Sequence, residues 1–170
     1  MIIELNSLDQ EPRKFDLLIS PDEIDLGLSG VELKGDVSVR GDIRKRIAQI
    51  DLEGTIAFAA DIDCDRCLKP VPKSFLSNFE VSYVAPEHFA SDREREIAGE
   101  DLATDVVEGN QLDLGEVARE QILLNLPEQV LCFNECKGLC PKCGNDRNLL
   151  DCNCDEKELD PRWSALNNLK

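Results

Sequence analysis

The sequence predicts an α+β fold: mainly antiparallel β-sheet or a small barrel, with one packed helix and a short cysteine-rich module at the C-terminus. Three observations carry this expectation. Through the first half of the chain, apolar and polar residues alternate with the period of two that marks a half-buried strand. Near residue 113 the apolar period switches to that of a helix. Six of the chain's eight cysteines crowd between Cys132 and Cys154.

Taken in order, Phe15, Leu17 and Ile19 alternate and predict a strand, and Ile24, Leu26 and Leu28 repeat the pattern before Gly30. The clearest alternation follows at Val31, Leu33, Val37 and Val39. Gly41-Asp42 reads as a turn. Ile43, Ile47, Ile50 and Leu52 then lead to Gly54, and Ile56, Phe58, Ala60 and Ile62 alternate again, with Cys64 on the same parity. Phe75, Phe79, Val81 and Tyr83 mark a further strand that Pro86 closes. Short strands at this spacing, with no helical pattern between them, favour antiparallel pairing.

Residues 86–111 gather acidic side chains and few large apolar ones, and read as an acidic loop. Asp113-Leu-Gly-Glu116 resembles a capping box, in which a carboxylate takes a free amide at a helix start. Leu114, Val117, Ala118 and Ile122 share one helical face, widened by Leu123, Leu124 and Leu126, and Pro127 ends the helix, which spans about 113–126. In the tail, Asp160-Pro161 is an N-cap followed by proline at the first helical position. Trp163, Leu166 and Leu169 would form a short anchoring stripe. The organisation expected is a β-rich body over 1–131 and a cysteine knuckle with a short helix over 132–170.

The chain has 170 residues, a formal net charge of −16 and 42% hydrophobic residues, enough for one core, with only 5% aromatic. The pI is about 4.4. This balance disfavours broad electrostatic binding to nucleic acid, which needs clustered Lys and Arg. The opening Met-Ile-Ile-Glu-Leu-Asn lacks the basic start and apolar run of a signal peptide. No apolar run approaches the roughly 20 residues of a membrane helix. A cytoplasmic protein is expected, where thiols stay reduced and eight cysteines act as metal ligands rather than disulfides.

Two cysteines separated by two residues bend around one ion, and Cys140-Pro-Lys-Cys143-Gly144 is a strong example. Proline fixes the turn, and glycine takes the positive φ by which the chain leaves it. Thiolates at about 2.3 Å in a tetrahedron suit zinc. The favoured division places Cys140, Cys143, Cys152 and Cys154 around one zinc ion, closing a short loop. Cys64, Cys67, Cys132 and Cys136 then hold a second. Grouped as four near-neighbour pairs, the cysteines admit two other divisions. An iron–sulfur cluster uses the same ligands. Thiol–disulfide exchange through Cys64-Asp-Arg-Cys67 is a further reading, but that motif normally opens a helix in a βαβ setting. His88 is the only histidine, nothing near it supports catalysis, and there is no phosphate-binding glycine loop; a non-enzyme is expected. Arg40, Arg44, Lys45 and Arg46 form one basic cluster. With Lys69 and Lys73 beside the first cysteine pair, and Lys137, Lys142 and Arg147 on the knuckle, they would give one positive face for RNA phosphates or a partner. The plainer reading is a strand edge protected by charge.

Cys64-Asp-Arg-Cys67-Leu68, then Glu120-Gln-Ile-Leu-Leu-Asn-Leu-Pro127, then Cys136-Lys-Gly-Leu-Cys140-Pro-Lys-Cys143-Gly144, resemble in order and spacing the YceD family of large ribosomal RNA subunit accumulation proteins, over roughly residues 30 to 165. The three motifs together are specific. The resemblance implies a role in synthesis, processing or stability of large-subunit ribosomal RNA and no catalytic activity. The implied partner is the precursor large ribosomal subunit, through its RNA or a ribosomal protein, and the negative charge favours the protein-mediated route. A thiol- or metal-dependent redox protein and a zinc-binding adaptor between proteins are the competing readings.

Overall fold

The computed structural model describes residues 1–9, 11–47, 49–86, 104–107, 109–152 and 154. The expected tail helix around Trp163, Leu166 and Leu169, the lone His88 and most of the acidic loop lie outside those residues.

A long hairpin is the spine of the fold. Strands β5 (Gln49–Asp63) and β6 (Pro70–Val84) pair antiparallel along their full lengths, from Gln49 opposite Val84 to Asp63 opposite Pro70. On the other edge of β5 lie β4 (Val37–Lys45) and, further along, the short β3 (Val31–Leu33). Between β3 and β4 the chain detours through Gly35 at φ +73°, while the Lys34 amide still donates to the Ala59 carbonyl. The alternation read over 31–39 is therefore two strands on one track. Strand β2 (Arg13–Ile19) pairs with β4, and β7 (Thr104–Val106) runs parallel to the end of β6. The sheet is open, with β2 and β7 at its ends, so the barrel alternative is set aside. Strand β7 also places regular structure inside the stretch expected to be an acidic loop.

One face of this sheet is the core. Val37, Val39 and Ile43 of β4, and Leu52, Ile56, Phe58 and Ala60 of β5, point inwards and are buried. Strands β1 (Ile2–Glu4) and β8 (Gln111–Asp113) make a separate two-stranded ribbon that leads straight into helix α1 (Leu114–Asn125). The Asp113 carboxylate accepts the Gly115 amide and caps the helix, as the sequence predicted. Leu114, Val117, Ala118 and Ile122 are buried, and the helix packs against β5, β6 and β1. Leu124, expected to widen that face, is instead 76% exposed. No described helix is long and apolar enough to cross a membrane.

Two expectations from local pattern are corrected. Ile24, Leu26 and Leu28 are not in a strand; Ile24 and Leu26 are buried as separate plugs, whereas Leu28 is exposed. Gly41-Asp42 is not a turn but lies inside β4, with Gly41 opposite Gly54. A Cβ on Gly41 would strike the Glu53 carbonyl and come within 2.8 Å of the Phe15 ring, and one on Gly54 would lie 3.0 Å from the Phe79 ring. These glycines permit close approach of backbone and aromatic ring rather than reversal. The chain reverses between β4 and β5, where the Arg46 amide donates to the Gln49 carbonyl.

Candidate metal centres

The first cysteine pair is itself the turn of the β5–β6 hairpin. The Leu68 amide donates to the Cys64 carbonyl at 2.8 Å, and the Cys64 amide to the Lys69 carbonyl at 2.9 Å. Leu68, the residue after the second cysteine, has φ +57°. Cys140-Pro-Lys-Cys143 repeats this turn. There the Gly144 amide donates to the Cys140 carbonyl and the Cys140 amide to the Asn145 carbonyl, both at 2.8 Å, with Gly144 at φ +72°. Both turns aim backbone N–H groups at a sulfur.

After helix α1 the chain returns to the hairpin turn and clasps it. The Asp65 amide donates to the Val130 carbonyl at 2.9 Å, and the Val130 amide to the Asp65 carboxylate at 2.6 Å. This delivers Cys132 and Cys136. The Sγ atoms of Cys67 and Cys132 lie 3.5 Å apart, and those of Cys64 and Cys136 lie 3.9 Å apart. All four sulfurs of Cys64, Cys67, Cys132 and Cys136 fall within 4.8 Å of one another, and so do those of Cys140, Cys143, Cys152 and Cys154. A zinc tetrathiolate with 2.3 Å bonds has sulfur–sulfur edges of about 3.8 Å, so the first four fit that tetrahedron closely. The structure thus gathers the eight cysteines into the two favoured sets.

Electrostatics inside each set call for a cation. Burial raises the Cys64 thiol, but amides of Arg66, Cys67 and Cys132 outweigh it and bring its pKa down to about 6. Burial and the neighbouring Cys67 and Cys136 sulfurs push Cys132 up to about 12. In the second set, the amides of Cys143 and Lys142 lower Cys140 to about 6, while the Cys143 sulfur pushes Cys154 up to about 12. Cys64 and Cys140 are thus lowered while Cys132 and Cys154 are raised, and a dication, if bound, would favour ionisation of the raised pair.

The two sets are also stitched together. The Leu139 amide donates to the Arg66 carbonyl at 2.8 Å, and Arg66 Nη1 to the Cys136 carbonyl at 2.7 Å. Gly138 sits against this seam at φ +74°, where a Cβ would lie 2.7 Å from the Arg66 carbonyl oxygen. Lys69 Nζ pairs with Asp146 at 2.6 Å, and Asn148 Nδ2 donates to the Cys136 sulfur at 3.3 Å. Sequence reasoning did not single out Asp146 or Asn148. Gly138 lay within a quoted motif without a role of its own, and its identity as glycine was the available signal.

The single positive face is not formed. Arg40 pairs with Asp16 at 3.0 Å, Arg46 pairs with Asp51, and Arg44 stands opposite Asp51 in the register. Lys45 points to the other side and donates to the Leu5 carbonyl. Lys69 lies at the far end of the hairpin: the dozen residues from Asp51 to Asp63 put roughly 40 Å between it and Arg44. Sequence clustering brought these cations together on and just after β4, and carboxylates of neighbouring strands pair with Arg40 and Arg46.

An open, mainly antiparallel sheet whose longest hairpin ends in a cysteine turn, beside a second four-cysteine set, defines a β-protein equipped for tetrathiolate metal sites. The family model described as large ribosomal RNA subunit accumulation protein YceD matches residues 52–170, and the chain belongs to that family. The match starts later than the resemblance read from the motifs. The chain is 27% identical to the Bacillus subtilis protein YlbN, over 99% of this chain and 94% of that one. It is 26% identical to the chloroplastic large ribosomal RNA subunit accumulation protein YCED homolog 1 of Arabidopsis thaliana, over 79% of this chain and 48% of that one. With its Zea mays counterpart it shares 23% identity, over 92% and 60%. The chain therefore spans about half the length of these plant relatives. No solved structure matches it.

Proposed function

We propose that this protein is a non-catalytic, zinc-bearing assembly factor of the cytoplasm that supports accumulation of large-subunit ribosomal RNA. The observation that carries the metal half is the gathering of eight cysteines into two four-sulfur sets. Zinc suits both, being redox-inert and content with four thiolates. A closed four-sulfur shell leaves no position for water or substrate, which supports a structural rather than catalytic ion. Family membership supports the ribosomal half. The partner is the precursor large subunit, reached through a ribosomal protein rather than through bare RNA, because the basic cluster on β4 is interleaved with carboxylates.

The test combines elemental analysis of the pure protein with sedimentation of a cell extract. Two zinc ions per chain and co-sedimentation with precursor large subunits are expected. Abundant iron with visible absorption would replace zinc by an iron–sulfur cluster. Absence from precursor particles, in cells whose large-subunit RNA is unaffected by loss of the protein, would remove the assembly role.

A further inference from the structure

The segment between Cys143 and Cys152 does more than close a loop. Its Asn148 turns away from its own sulfurs and onto the other set. Nδ2 donates to the buried Cys136 sulfur at 3.3 Å, and Oδ1 accepts the Lys137 amide at 2.7 Å. Asp146 holds Asn148 in that pose, because its Oδ1 accepts both the Asn148 amide at 2.8 Å and Nδ2 at 2.7 Å. The other oxygen of Asp146 pairs with Lys69, two residues past Cys67. Asp146 and Asn148 thus reach the first set at its two ends, through the Lys69 side of the hairpin turn and through Cys136.

Resting on the zinc reading above, we infer that the second cluster is a clamp on the first: metal in Cys140, Cys143, Cys152 and Cys154 raises the affinity of Cys64, Cys67, Cys132 and Cys136 for its own ion through Asn148 and Asp146. An N–H donor on a thiolate sulfur stabilises its charge and fixes its direction, and outer-shell partners of this kind commonly change metal affinity by about 10- to 100-fold. The donor is placed only while its segment is held, and the ligands on either side of residues 144–151 are what a bound ion ties down. Coupling of this kind is reciprocal, so metal in the first cluster raises the affinity of the second by the same factor. Asn148 is a positioning residue in this scheme and touches no metal.

The experiment uses the full chain, stripped of metal under reducing conditions and titrated with cadmium against a competing chelator. Cadmium NMR follows each four-sulfur site by its own resonance, and Cys143→Ser with Cys154→Ser assigns the second-cluster signal by its loss, leaving the other to the first cluster. Asn148→Ala keeps all eight cysteines, and should shift the first-cluster signal and weaken that cluster by about 10- to 100-fold. Disabling the second cluster with Cys143→Ser and Cys154→Ser should weaken it comparably. Adding Asn148→Ala to that background should then change nothing more, the mark of a shared pathway. Should the serine variant not fold, Asp146→Asn serves in its place. An unchanged first-cluster affinity in Asn148→Ala, or losses that multiply when combined, would overturn the clamp while leaving two metal sites standing. Failure of the unaltered chain to bind cadmium at either set would overturn the metal reading itself, and the clamp with it.

Discussion

The two cysteine sets use one turn for different purposes. In both, the residue after the second cysteine is left-handed and its amide returns to the first cysteine's carbonyl. Yet Cys67 and Cys132 are 65 residues apart in sequence, whereas Cys140 and Cys154 belong to one short segment. Chain entropy separates the sets only modestly. Closing a loop of about 65 residues costs an unfolded chain roughly 4 kcal/mol, and closing one of about a dozen residues roughly 3. Surroundings separate them more. Cys64, Cys67 and Cys136 are buried with Val71, Leu131 and Leu139 packed against them, whereas Cys143 is exposed and Cys152 and Cys154 are half-buried. The same ligand set is therefore a fastening of the whole body in one place and a local fold in the other.

The largest expected effect tests that contrast directly. Cys67→Ser should unfold the hairpin end and the segment after α1 together, because metal binding there is coupled to folding. Cys143→Ser should loosen residues beyond Cys140 and weaken the first set through the clamp, yet leave the sheet folded. Denaturant melts followed by far-ultraviolet circular dichroism, with metal content measured alongside, compare them. Equal losses of midpoint would mean that the body depends on both sets alike.

A smaller effect probes the seam. Gly138→Val puts a branched side chain where even a Cβ meets the Arg66 carbonyl, at a φ that L-residues rarely adopt. The hydrogen bond from Leu139 to Arg66 should break, at a cost of roughly 1–3 kcal/mol. Hydrogen exchange of the Leu139 amide should rise along with the loss of stability. A variant as stable as the parent, with that amide still protected, would show that the two sets lean on each other less than their hydrogen bonds imply.

What was legible in the chain follows from the range of the forces involved. The alternation at Ile56, Phe58, Ala60 and Ile62, the Asp113 cap and the two CxxC turns are local, and each appears in the structure where the sequence placed it. Gly41-Asp42 was misread because glycine serves turns and close approaches equally, and only the opposing Gly54 with Phe15 and Phe79 decides between them. The ion pairs of the basic cluster were hidden for the same reason: the partners Asp16 and Asp51 come from other strands, and register is invisible to a one-dimensional reading. Asn148 carried no signal at all, since an asparagine in a cysteine-rich loop looks like any turn residue until its amide is found on Cys136. Leu28 and Leu124 show the limit of periodicity, which marks apolar positions without saying what covers them.

The smallest effect sharpens the comparison at its most exact point of likeness. Leu68 and Gly144 occupy the same place in the two turns, at φ +57° and +72°. A left-handed conformation costs a non-glycine residue about 1–3 kcal/mol, and glycine escapes that cost. Leu68 is 60% exposed, so little burial offsets the strain. Leu68→Gly should relieve it, less the roughly 0.5–1 kcal/mol that glycine's extra freedom gives the unfolded chain. A net gain of roughly 0–2.5 kcal/mol is expected, read as a higher denaturation midpoint with unchanged metal content. Gly144→Leu should cost about 1 kcal/mol in turn, falling first on the second set and visible as faster loss of its metal to a chelator. A Leu68→Gly variant less stable than the parent would show that the exposed leucine contributes contacts outweighing its backbone strain, and that the two turns, alike in hydrogen bonding, differ in what their outer surfaces touch.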